Sequence, residues 1–98
     1  MPRHSLEVHP EAVAEAREAV QWYRARNEAV ADAFIAEIDH AIGQIDEAPD
    51  RWPRYIQGTR RYLLHRFPFY LVYRQQGSTI QVIAVAHGHR KPGYWKAR

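Results

Sequence analysis

From Arg60 to Trp95 the sequence reads RRYLLHRFPFYLVYRQQGSTIQVIAVAHGHRKPGYW, rich in histidine, tyrosine and arginine and without a single carboxylate. The side chains in it that could do chemistry are His65, His87, His89, Tyr70, Tyr73, Tyr94, Arg61, Arg66, Arg74, Arg90 and Lys91. Metal-free cleavage of RNA needs a base for the 2′-hydroxyl proton, an acid for the leaving oxygen and cations around the phosphorane. Histidine, tyrosine and arginine can fill those roles. The same set equally suits a phosphate-binding surface, or a docking site for an acidic protein segment, where Tyr and Arg are favoured contact residues.

Other chemistries find less support. His87 and His89 are one residue apart and would point the same way on a strand, but no Cys, Asp or Glu in the C-terminal half completes a metal-ligand set. A phosphate-binding P-loop, a dinucleotide-binding glycine pattern and a nucleophile elbow are all missing, so no cofactor is expected. Paired-carboxylate catalysis would have to draw on acidic residues of exposed helix faces, which serve more simply as solubilising groups.

The net charge of +3 hides a division by position. Residues 1–50 hold all 11 acidic residues against Arg3, Arg17, Arg24 and Arg26, a balance of −7, whereas residues 51–98 hold ten basic residues and no acid, a balance of +10. A basic pole of this kind suits phosphate or an acidic partner. With 98 residues and 46% hydrophobic content, the chain fits one domain, residues 1–98, with a single core. Absence of cysteine suits a reducing cytoplasm, and no apolar run is long enough to span a bilayer, so a cytoplasmic protein without membrane contact is expected.

The elements that must position the candidate residues follow from periodicity. Ser5 to Val8 reads as a short strand closed by His9-Pro10. Glu11 to Arg26 is helical, with Val13, Ala16, Val20 and Tyr23 as its inward stripe. Asn27 can cap a second helix, whose apolar stripe is Val30, Phe34, Ile38, Ala41 and Ile45, with Glu37, Asp39, Asp46 and Glu47 outside it. Asp50 to Thr59 reads as a loop pinned by its own aromatics, ahead of three strands at Arg60–Arg66, Pro68–Gln75 and Thr79–His87. Alternation puts Phe69, Leu71 and Tyr73 towards the helices and Tyr70, Val72 and Arg74 away from them. The last strand is apolar on both faces, which suits a central place in the sheet. The fold class is therefore α+β, in the order β-α-α-β-β-β. A helical hairpin packs on a largely antiparallel sheet whose second face is expected to be partly open and basic.

Several motifs together carry a family resemblance. L-x-R-F-P-F-Y-x-x-Y-R at Leu64 to Arg74, I-x-V-x-A-V-A-H-x-x-R-x-P-x-Y-W at Ile80 to Trp95, W-Y-x-x-R at Trp22 to Arg26 and P-x-x-W-P at Pro49 to Pro53 resemble the RelE/ParE superfamily of bacterial type II toxins, often labelled plasmid stabilisation proteins. The resemblance extends over nearly the whole chain and implies the β-α-α-β-β-β fold and growth arrest by the free toxin. It also implies a toxin–antitoxin hetero-oligomer in which the antitoxin's acidic C-terminal segment wraps the toxin. RelE-like members cut mRNA on the ribosome, and ParE-like members poison DNA gyrase. Tyr70 stands where the ribonucleases usually carry a catalytic arginine, and Gly88 where they carry another Arg or a His; Arg61 and Tyr94 fall near positions the nucleases use. Two expected catalytic groups are thus missing, which favours the ParE-like branch and binding over catalysis.

The leading expectation is a gyrase-binding toxin that meets its antitoxin or target through Arg61, His65, Arg66, Tyr70, Arg74, Arg90, Lys91, Tyr94 and Trp95. The alternative is a ribosome-dependent mRNA endoribonuclease using Arg61, His87, His89, Arg90 and Tyr94. A non-toxic binding or regulatory module is the third reading.

Overall fold

In a computed structural model, described here for residues 5–98, four strands and two long helices follow the expected order. Strand β1 (Ser5–Val8) leads into helix α1 (Pro10–Arg24), helix α2 (Glu28–Glu47), a short 3-10 turn at Ile56–Gly58, and strands β2 (Arg60–Leu63), β3 (Phe69–Gln76) and β4 (Thr79–His87). The sheet order is β1-β4-β3-β2, with β1 parallel to β4 and the other pairings antiparallel. β4 is central, as its two apolar faces suggest.

Local sequence accounts for the helix ends. Pro10 occupies the first turn of α1, where its missing N–H costs nothing, and His9 Nδ1 accepts the Glu11 N–H at 3.1 Å. Asn27 is extended and its Oδ1 accepts the N–H groups of Ala29 and Val30, so α2 starts at the expected cap. The inward faces are rotated from the expected stripes. α1 buries Ala12 and Ala19, letting the helix lie close to the sheet, with Ala16, Val20 and Tyr23 at the margins of the core. In α2, Val30 is 38% exposed, and Glu37 is buried beside Phe34, Ala41 and Ile45.

Glu37 also explains why β2 is shorter than the expected Arg60–Arg66. Its carboxylate accepts the backbone N–H of His65 and of Arg66, and it pairs with Arg66 Nε at 3.3 Å. Those amides bond a side chain instead of a neighbouring strand, so the ladder stops at Leu63. At the other end of β3, the Gly77-Ser78 turn closes the hairpin with Gly77 at φ 60°, a conformation glycine adopts without steric cost.

The second face of the sheet is not open, contrary to the sequence expectation. Leu71, Tyr73, Val82 and Val85 face the helices, while Tyr70, Val72, Ile83, Ala84 and Ala86 form a second buried cluster beneath Trp95. Between Val72 and Tyr73 the pairing shifts, leaving Ile83 as an extra residue in β4, so Ile83 and Ala84 both face the second cluster. Trp95, 1% exposed, stacks on Tyr55 from the 49–59 loop at 5.6 Å and contacts Tyr94 edge-on. The loop and the C-terminal tail together form a third layer.

Trp95 is the largest of the fully buried side chains. Replacing it with alanine is expected to lower the unfolding free energy by about 3–5 kcal/mol, measured by urea denaturation. A loss below about 1 kcal/mol would show that the tail is an appendage and no part of the core.

Candidate functional site

The tail is fastened by an acidic residue from the opposite side of the sheet. β1 ends at Val8, which pairs with Val82, so β4 beyond that point has no strand on its β1 side. Glu15 of α1 fills part of the gap. Its Oε1 accepts the Val85 N–H at 3.0 Å and a bond from Arg98 Nη1 at 2.9 Å; its Oε2 accepts Arg98 Nη2 at 3.0 Å and the Tyr94 hydroxyl at 2.7 Å. Arg98 Nη1 also donates to the Ile83 carbonyl at 3.0 Å. Burial alone would raise the Glu15 carboxyl pKa, but the bonds from Arg98, Tyr94 and Val85 outweigh it and hold the carboxyl below its usual range. The Tyr94 hydroxyl is pushed far up by burial and by Glu15.

On the tail side of the sheet the aromatic rings carry cations. Arg61 lies over Tyr55 at 4.3 Å and over Tyr70 at 5.3 Å, and Arg90 lies over Tyr94 at 3.9 Å. Tyr70 is only 5% exposed, and burial followed by its neighbour Tyr55 pushes its hydroxyl up to about 12 despite Arg61 and Arg90 nearby. Arg74 is engaged internally, donating to Gln81 Oε1 at 3.1 and 2.8 Å and to the Arg98 carbonyl at 3.2 Å. Lys91 is exposed at the base of the tail.

The binding residues expected from sequence are therefore dispersed. Arg61, Arg90, Lys91 and Tyr94 share the tail face, but Tyr70 and Trp95 lie beneath it in the second core, so those two are corrected from contact residues to packing residues. His65 and Arg66 sit at the far turn, fixed by Glu37.

The five residues of the nuclease reading fare similarly. His87 pairs across the sheet with Phe69 and contacts its ring edge at 5.0 Å, which places it on the helix face. His89 stacks on His87 at 4.9 Å. The Tyr94 ring packs against the second cluster while its hydroxyl is committed to Glu15. Gly88 donates its N–H to the Pro68 carbonyl at 2.7 Å and contributes only backbone.

A cleft of about 470 Å³ opens beside the unpaired part of β4. Glu15, Trp22, Tyr23, Phe69, His87 and Arg90 are among its walls, and Trp22 is 54% exposed. Sequence reading missed both this cleft and the role of Glu15. The one sequence signal was a Glu in an early helical turn, which the helix dipole explains equally well.

Two helices on a mixed four-stranded sheet with a basic aromatic face define a small α+β domain. A sequence model for the ParE toxin of the type II toxin-antitoxin system parDE matches residues 6–92, and the chain belongs to that family. A solved structure described as the chromosomal ParDE TA system from P. aeruginosa superposes with a TM-score of 0.77 at 20% identity, over 89% of this chain and 98% of that one, a likeness of fold. No curated protein matches the sequence significantly.

The depressed Glu15 pKa has a signed consequence. Its stabilisation is complete above the unfolded carboxyl pKa of about 4.3 and is lost as pH falls through the lower folded value. Glu15→Gln is expected to reduce stability at pH 7 by roughly 1.5–3 kcal/mol and to flatten the loss of stability below about pH 4.5. Denaturation midpoints measured from pH 7 to pH 3 check this; parallel curves for the two proteins would refute it.

Proposed function

We propose that this ParE-family toxin arrests growth by binding DNA gyrase without cutting nucleic acid, and that a cognate antitoxin neutralises it. The observation that carries the non-nucleolytic reading is that the nuclease candidates are already engaged. His87 packs edge-on against Phe69 and His89 stacks on His87, the Tyr94 hydroxyl is bonded to Glu15, and the hydroxyls of Tyr70 and Tyr94 both titrate well above neutrality. Proton transfer near pH 7 needs a group poised near that pH and within reach of the reacting oxygen. Family membership supports gyrase as the target. The charge division supports an antitoxin whose acidic segment meets the basic half, in a hetero-oligomer.

Purified protein is expected to inhibit gyrase supercoiling in proportion to its concentration, to leave mRNA intact in a translating extract, and to lose its effect when the antitoxin is added. The double variant His87→Ala, His89→Ala is expected to arrest growth within about threefold of the parent's potency. Cleaved mRNA with unaffected supercoiling would overturn the proposal in favour of the ribonuclease.

A further inference from the structure

Four cations on the tail face have no carboxylate partner among the described residues. Arg60, Arg66 and Arg98 are neutralised by Asp50, Glu37 and Glu15, whereas Arg61 and Arg90 rest on tyrosine rings and Lys91 and Lys96 are exposed on the tail itself. Resting on the rings holds the two guanidinium groups in place without using their N–H donors, which can then reach phosphate oxygens. No Asp or Glu occurs anywhere in residues 51–98 to compete for them.

We propose that this face binds the phosphodiester backbone of duplex nucleic acid directly, without reading sequence. The arrangement of the aromatics decides between a duplex and a single strand. Unpaired bases are held by stacking on free rings. Here the rings are already occupied: Tyr70 and Trp95 are buried, Arg61 covers Tyr55, and Arg90 covers Tyr94. Besides the exposed apolar side chains of Leu63 and Ile56, which offer no ring to stack on, what remains accessible is cationic, and cations without free rings serve a backbone whose bases are turned inward.

Fluorescence anisotropy of a labelled 20-base-pair DNA duplex, titrated with the full chain at several salt concentrations, tests this. Four phosphate contacts give an expected slope of log K against log salt of about −3.6. Arg61→Ala and Arg90→Ala are each expected to weaken binding about equally for unrelated duplex sequences and to reduce the slope by about one. Arg61→Lys, which keeps the charge, retains the slope. Arg24→Ala, on the helical side and paired with Glu28, leaves binding unchanged. Circular dichroism confirms that each variant is folded.

Two results would overturn the proposal: no duplex binding at 50 mM salt, or tighter binding of a single strand of the same length. The assay contains no gyrase, so it is separable from the proposed function. A folded Arg61→Ala, Arg90→Ala variant that loses duplex binding but still inhibits supercoiling would leave both readings standing as distinct properties.

Discussion

One structural constraint organises this molecule: β1 is too short to cover β4. Beyond Val82 the central strand presents backbone groups with no neighbouring strand, and an unpaired buried amide or carbonyl costs about as much as a lost hydrogen bond. Glu15 and Arg98 supply two of the missing partners, at Val85 N–H and the Ile83 carbonyl. The same pair joins α1 to the end of the chain and holds the tail across the second face of the sheet, with Trp95 beneath it. A gap in the sheet is thus converted into the fastening of a third layer.

Glu37 does for the other side of the fold what Glu15 does for this one. Each is a helix carboxylate turned inward to accept backbone N–H groups while pairing with an arginine of the C-terminal half. Burying a carboxylate is costly unless it is fully hydrogen-bonded, and both are. The charge division of the sequence is therefore partly internal, because three acids of the first half, Asp50, Glu37 and Glu15, pair with Arg60, Arg66 and Arg98 of the second. Among the cations without a carboxylate partner, Arg61, Arg90, Lys91 and Lys96 define the outward character of the tail face.

That distinction carries the functional argument. A surface whose rings are covered by cations and whose tyrosine hydroxyls are held neutral well above pH 7 has much to bind with and little to move protons with. His87 lines the cleft near Trp22, with His89 stacked on it. The chain's place in the ParE toxin family is the context in which these groups are read.

The sequence by itself determined whatever depends on near neighbours in the chain. Asn27 starts α2, Pro10 starts α1, Gly77 turns the last hairpin, and the two apolar faces of Thr79–His87 place that strand at the centre, because caps, turns and periodicity act over a few residues. Only the tertiary structure decided what Glu15, Glu37, Tyr70 and Trp95 do. The partners of Glu15 lie 70 to 83 residues away, those of Glu37 28 to 29, and alternation along β3 shows which face Tyr70 takes without showing what covers it. The second face was expected to be partly open because the helical hairpin covers only one side of the sheet. The order of the tail comes from packing Trp95 on a sheet assembled from distant segments, and from an ion pair that exists only once α1 and the chain end have been brought together.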